Sequence, residues 1–353
     1  MMTTQTDILW DKGSAYDLFI SLWILHRPDE FGLRPSWAAG VRSRLPADLR
    51  DFLEQAQICV KVPLHWIYRL PEPKDAAAAL RALEALPPAQ RLPALVFDER
   101  EQAAEDGYRT FMLSLEGRHR LTANLEEQIR EFHQKSKKIS REEIRMLFSA
   151  WSDRTAFGKG LLRALRAYFE GFFREEEARI LPVQEKGLAE ARRLAQEKDL
   201  LPLLEDLSSG VRMDSIAEVS RVVLVPSFWS SPFVFFDALD EETEILVFGS
   251  RPQDITLVPG ELVPEALLNA LKALADPTRL RILRSLIDDP RTPSELAKLL
   301  RLRAPTVIHH LHNLRLAGLV RVTVSGKGER RYAARLDGIE STMESLHFFL
   351  LGE

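Results

Sequence analysis

The chain has 353 residues, 45% apolar and 28% charged, with one cysteine and a formal net charge of −4. That length holds two or three domains at roughly 100–200 residues each, and no apolar run reaches the ~18 residues of a membrane span. The start, MMTTQTDILW, lacks the basic flank and apolar block of a signal peptide, and Cys59 alone excludes an internal disulfide or a thiolate metal cage within one chain, so a cytoplasmic protein with no membrane contact is expected.

Residues 14–26 (SAYDLFISLWILH) read as a helix. Ser14 and Asp17 stand at capping spacing, and Tyr16, Phe19, Ile20 and Trp23 mark one face. Leu18, Leu22 and Leu25 put apolar surface on other faces, so burial on most sides is expected. Helical periodicity returns over residues 36–57, 75–86, 121–135 and 140–151. A further helix is predicted over 158–180, where Leu161, Leu165, Tyr168, Phe169, Phe172 and Phe173 form an aromatic-rich face. Pro182 should end it, with a more polar helix following over 185–205.

The period then changes. VSRVVLVP (219–226), PFVFFD (232–237) and TEILVFG (243–249) are short β-branched and aromatic runs separated by turn residues. They predict a three-stranded antiparallel meander. The segment 251–265, with Pro252, Pro259, Gly260 and Pro264, reads as a connector, and the domain boundary is placed at 259.

Beyond it the charge is uneven. Residues 291–335 hold ten Lys and Arg against Glu295 and Glu329, a net +8, which leaves −12 for the remainder. A polyanionic partner for this segment is the first hypothesis. Asp276 and Pro277 supply an N-cap and a first-turn proline, and Leu280, Ile282, Leu283 and Leu286 give the ensuing helix its buried side. Thr292-Pro293-Ser294-Glu295 is a capping box that opens a short helix. Only Arg301 to Arg303 separate it from a third helix, so the two must cross steeply, as in a helix-turn-helix. In the third helix Val307, Leu311 and Leu314 should face the core, leaving Thr306, His309 and Asn313 on a polar face suited to a major groove. Gly318 should end it as a left-handed cap. A hairpin follows, with a flexible tip at Gly326-Lys327-Gly328 and Arg330, Arg331 and Arg335 beside it, the composition of a wing that places cations on phosphates.

LKALADPTRLRILRSL, PSELAKLL, TVIHHLHNLRLAGLV and the ERRYAA strand together resemble the ArsR family of bacterial repressors over the last quarter of the chain. The resemblance implies a homodimeric winged helix that reads a palindromic double-stranded DNA operator with half-sites about one helical turn apart. The family's interface uses the first and last helices of the domain, which match Leu267, Leu268, Leu271 and Leu274 at one end and Ile339, Met343, Leu346 and Leu350 at the other. The expected DNA-contacting residues are Arg301, Arg303, Thr306, His309, His312, Asn313, Arg315, Lys327, Arg330 and Arg331. This chain departs from the family in two places. Ala304, Pro305 and Ile308 stand where members often carry small polar residues, and the cysteine pair of metal-sensing members is missing from PSELAKLL.

The fold class expected is therefore mainly α: a helical N-terminal domain (1–258) with a small antiparallel β meander, and a C-terminal winged helix-turn-helix domain (259–353). His309, His310 and His312, and likewise Asp337, Glu344 and His347, fall short of a metal ligand set. Residues 1–258 hold no phosphate-binding glycine loop, nucleophile elbow or zinc-protease helix, so neither enzymatic activity nor a cofactor is expected. Gly13 is a single glycine with no strand expected before it. SAYDLFISLWIL and VVLVPS resemble an uncharacterised extension carried by some ArsR-type regulators. A sensor for a non-metal signal, a small-molecule effector or a protein partner is the reading for this region; an enzyme or ligand-processing domain fused to a DNA-binding module is the alternative.

Overall fold

The structure, a computed structural model, describes residues 6–98, 107–133, 139–213, 216, 219–252, 255–258, 263–325 and 329–351. It is mostly helical, with two small mixed sheets. Strand β1 (Asp7–Trp10) leads into α1 (Ser14–Leu25), a 3-10 turn (Pro28–Phe31), α2 (Pro35–Arg42), α3 (Ala47–Cys59) and α4 (Leu64–Tyr68). There follow α5 (Ala76–Ala85), α6 (Pro88–Val96), α7 (Gly107–Leu113), α8 (Ala123–His133) and α9 (Arg141–Ser152). Helix α10 (Arg154–Tyr168) continues through a π-helical turn (Phe169–Phe173) into α11 (Arg174–Glu197), then α12 (Leu200–Leu207) and β2 (Val211–Met213). Strands β3 (Arg221–Ser227), β4 (Phe235–Asp240) and β5 (Thr243–Gly249) come next. The C-terminal part is α13 (Glu265–Leu274), α14 (Pro277–Asp288), α15 (Pro293–Leu300), α16 (Ala304–Leu316), β6 (Val320–Val324), β7 (Arg330–Ala334) and α17 (Leu336–Leu351). Among the described residues no helix is long and apolar enough to cross a membrane.

Helix α1 is buried on almost every side, as its all-round apolar sequence requires; only Trp23 is half-exposed, with the Arg27 guanidinium over its ring. The expected cap residues act elsewhere. Ser14 Oγ donates to Glu177 and accepts from the Ala76 amide, while Asp17 accepts from the turn after β3. The single helix predicted over 36–57 is two, because Pro46 disfavours helical backbone at Leu45 and starts α3 anew. Pro182 does not end a helix. It lies inside α11, where Ile180, Gln184 and Leu188 carry a buried face across it, and that burial outweighs the one lost backbone bond.

The first sheet is mixed, in the order β1-β3-β5-β4, and not an antiparallel meander. Strand β5 pairs in parallel with β3, and β4 turns back antiparallel along its outer side. The reason lies in burial. Val222, Val223, Leu224 and Val225 are all buried, so β3 is covered on both faces and must be central. Strand β4 exposes Phe236 and fits only an edge. Strand β1, parallel to β3, forms the other edge and precedes Gly13, where no strand was expected. That turn is closed: a Cβ on Gly13 would lie 2.2 Å from the Lys74 carbonyl oxygen.

Three clusters make up the core. The largest joins the helices up to α11 with one face of the first sheet. The second joins that sheet's other face (Val222, Leu224, Leu246, Phe248) to α11, α12, β2 and Val322 of β6. The third fills α13 to α16 and the hairpin. The hairpin itself has a third strand. Strand β2 pairs in parallel with β6, Val211 opposite Val322 and Met213 opposite Val324, so the C-terminal sheet takes one strand from the residues before 259. Residue 259 lies outside the described residues, as does the Gly326-Lys327-Gly328 tip.

Candidate nucleic-acid interface

The C-terminal helices start and stop where their local chemistry dictates. Asp276 accepts from the Arg279 amide at 2.9 Å and caps α14. Thr292 and Glu295 form the reciprocal capping box of α15, at 3.2 and 2.7 Å. Arg301 then takes left-handed backbone (φ 55°), and the Leu302 amide donates back to Ala297 at 2.9 Å, so the chain reverses within three residues. Helix α16 begins at once, with Pro305 in its first turn. Val307, Leu311 and Leu314 are buried, and Gly318 (φ 68°) closes the helix with the Leu319 amide bonded to Leu314.

What remains outward is a compact polar and cationic surface. Arg301, Arg303, Thr306 and His309 are exposed at the turn and on the first half of α16, with Lys298 behind them on α15. Asn313 Nδ2 lies 3.2 Å from His309 Nε2 on the same face. On the hairpin Arg330 and Arg331 are exposed, and Arg331 lies 3.8 Å from Glu295 and 3.7 Å from Glu329. Ile308 is 54% exposed, an apolar group in the middle of this surface. Such a surface combines cations for phosphates with hydrogen-bonding groups and a small apolar contact for base edges.

Two residues expected there lie elsewhere. Arg315 is buried: its guanidinium donates to the carbonyls of Ser208 and Ser209, both at 2.9 Å, and lies over the Phe233 ring. Burial pushes its pKa down to about 10. His312 is half-buried, its ring stacked on Phe233 at 6.0 Å, and desolvation lowers its pKa. Both were expected at the interface as polar or basic residues of α16, and the side they occupy is covered by the N-terminal region. Lys327 lies outside the described residues.

The covering groups were missed. Arg335 also donates to the Ser209 carbonyl, at 3.0 Å, and Arg321 reaches Glu205 at 3.3 Å. Three of the ten cations of the basic segment therefore face residues 205–209. The one signal for this contact was Ser208-Ser209-Gly210, a turn sequence just before β2. Gly210 has φ 94°, and a Cβ there would lie 2.7 Å from Arg335 Cδ. Among the described residues no group of three His, Cys, Asp or Glu side chains is placed to hold a metal ion. Asp337 is hydrogen-bonded to Arg335 at 2.6 Å.

A family model described as bacterial regulatory protein, arsR family, matches residues 276–322, the stretch from the cap of α14 into β6. Residues 276–322 are an ArsR-family helix-turn-helix domain. The chain is also similar to the HTH-type transcriptional regulator CmtR of Mycobacterium bovis and of Mycobacterium tuberculosis, at 45% identity over 73 residues. That alignment covers 21% of this chain and 61% of each relative, so the chain spans about three-fifths of the length of the curated relatives it matches. In this ArsR-type domain the exposed surface is the turn, the first half of α16 and the outer strand of the hairpin, while the second half of α16 is held by the N-terminal region.

Proposed function

We propose that this chain is a DNA-binding transcription regulator, a homodimeric repressor whose N-terminal region senses a non-metal signal or a partner. The observation that carries the reading is the exposed surface of Arg301, Arg303, Thr306 and His309 at a helix-turn-helix junction, within a domain of the ArsR family. Arg301 sits in the turn before α16, where a cation meets a phosphate flanking the groove, and Arg303, at the helix end that points inward, reaches base edges. Thr306, His309 and Asn313 supply base-edge contacts, and β6 and β7 act as a wing through Arg330 and Arg331.

Helix α17 supports the dimer. Met343, Phe348, Phe349, Leu350 and Leu351 are all exposed on a helix that packs against α13, an apolar surface that a second copy would cover. Among the expected interface residues Leu267 is buried within the monomer, while Leu268, Leu271 and Leu346 are half-exposed. We read the N-terminal region as regulatory and not enzymatic; two of its buried carboxylates, Asp11 and Glu176, are held by cations of the same region. Asp11 pairs with Lys74 at 2.5 Å and accepts from the Tyr16 hydroxyl at 2.6 Å; Glu176 pairs with Arg179 and accepts from Trp229 Nε1 at 3.0 Å.

The test is fluorescence anisotropy of the full chain on a duplex selected from random sequence, at several salt concentrations. Affinity should fall with log-log slope of roughly −0.9 per phosphate contacted, and Arg303→Ala should reduce discrimination between selected and random duplex by about tenfold. Salt-independent binding, or no enrichment of any duplex, would overturn the reading.

A further inference from the structure

We infer that helix α16 selects a thymine in its operator through an apolar strip centred on Ile308, which packs on the C5-methyl group in the major groove. The inference rests on the DNA-binding reading above and adds to it one specificity-determining residue and the base it selects. The strip follows from helical phase. Val307, Leu311 and Leu314 are buried and fix the side of α16 that faces the core. Ala304 and Pro305 stand four and three residues before Ile308, so the three share one flank of the helix. All three are exposed, Ile308 by 54%. Thr306, His309 and Asn313 occupy the neighbouring strip, where Asn313 Nδ2 lies 3.2 Å from His309 Nε2. The start of α16 therefore presents two parallel edges, one apolar and one hydrogen-bonding.

A single exposed isoleucine is ordinary on a protein surface, and it is the setting that gives this one a role. The same flank of α16 is covered one turn later. His312 stacks on Phe233 at 6.0 Å, and Arg315 donates to the carbonyls of Ser208 and Ser209. The N-terminal region reaches His312 and stops, leaving Ile308 open. Ile308 also lies in the half of the helix that a helix-turn-helix directs into the groove. Exposed Arg301 and Arg303 precede it, and exposed Arg330 and Arg331 stand on the hairpin. A cationic rim around an apolar strip favours duplex DNA as the occupant over an apolar peptide.

The chemistry of the strip names the base. The side chains of Ala304, Pro305 and Ile308 offer no hydrogen bond. Set against the major-groove edge of adenine, guanine or cytosine, they would displace water from a donor or acceptor without replacing it. Thymine is the one base whose edge there carries an apolar group, and burying its methyl against Ile308 removes apolar surface of both partners from water. Discrimination on this flank thus comes from a favourable contact with thymine and from a desolvation penalty against the other three bases.

The experiment takes the duplex selected from random sequence and replaces each thymidine in turn by 2′-deoxyuridine, which removes the methyl and keeps every hydrogen-bonding group. Affinity of the full chain is read by fluorescence anisotropy. At one position of the half-site the replacement should weaken the parent chain about fourfold, the worth of one buried methyl. Ile308→Ala should weaken binding to the thymidine duplex by at least about fourfold and bind the two duplexes within about 1.5-fold of each other. Thr306→Ser, which takes a methyl from the neighbouring strip, should keep the ratio between them at about fourfold. Insensitivity at every thymidine, a ratio that survives Ile308→Ala, or one lost in Thr306→Ser would overturn the assignment while the regulator reading stands. Ile308 is exposed, so Ile308→Ala leaves the core intact. Altered sedimentation of that variant with unaltered discrimination would put a protein contact on the strip and overturn the assignment too. A full chain that enriches no duplex would overturn both readings.

Discussion

Replacing Arg315 by alanine separates two roles for the most buried cation of the basic segment. In the structure its guanidinium donates to Ser208 and Ser209 at 2.9 Å each, which places it in the joint between the N-terminal region and α16. Hydrogen bonds from a charged donor contribute about 1.5–3 kcal/mol each. Part of that is offset by desolvation of the guanidinium, visible in its pKa being lowered to about 10, so the net loss should be about 2–3 kcal/mol. The Ser209 carbonyl keeps Arg335, while among the described residues the Ser208 carbonyl has no second side-chain donor. The loss should therefore appear locally, as faster amide exchange in β2 and along the β2–β6 ladder, with α14 and α15 unchanged. The decisive reading is the salt dependence of DNA binding. A residue that contacts a phosphate contributes about 0.9 to the log-log slope, and one buried in the joint contributes nothing. Arg315→Ala should leave the slope as in the parent chain, where Arg301→Ala lowers it. A slope reduced by about 0.9 with exchange in β2 unaltered would refute the placement of Arg315.

Three further outcomes follow from the same packing. Asp17 is fully buried, and desolvation raises its pKa to about 6 despite hydrogen bonds from Ser227, Trp229, Phe228 and Gln184. The unfolded chain then releases this proton near pH 4 and the folded chain near pH 6, so this group's contribution falls by about 3 kcal/mol as pH rises through that window and is level above it. Urea midpoints between pH 4 and 7 should show that component, and Asp17→Asn should flatten it while costing about 1–3 kcal/mol, since an amide NH2 would face N–H donors; an unaltered pH profile in the variant would rule it out. Gly210→Ala should destabilise the joint by about 1–3 kcal/mol, read as a lower thermal midpoint, because φ 94° and the 2.7 Å approach to Arg335 both exclude a Cβ; an unchanged midpoint would contradict that geometry. Phe348→Glu with Leu350→Glu should yield a monomer in sedimentation and weaken operator binding by more than about tenfold; a dimer that survives both would place the interface elsewhere.

What was legible in the sequence depended on how far a residue's partners lie along the chain. Asp276, Thr292, Glu295 and Gly318 act on amides and carbonyls within five residues, and the helix-turn-helix could be placed from them alone. The antiparallel meander was a misreading of a signal that was present. VVLV and ILVF are continuous apolar runs, the mark of strands covered on both faces, and alternation would have been needed for a half-exposed meander. Strands β1 and β2 have four and three residues, too few for any periodicity, and only their neighbours define them. Arg315 fails for a different reason. It was assigned to DNA for its charge and its place in α16, yet four residues past Leu311 it shares the buried side, and nothing in its own neighbourhood says what stands against that side. The groups that do, Ser208 and Ser209, are more than a hundred residues away, and carbonyl oxygens carry no trace of their role in side-chain identity. The same limit applies to Asp17, which bonds Trp229 across 212 residues. A basic residue in a DNA-binding helix is thus only a candidate contact until every other body that can cover the helix has been placed, and here the covering body is the region whose sequence carried no motif.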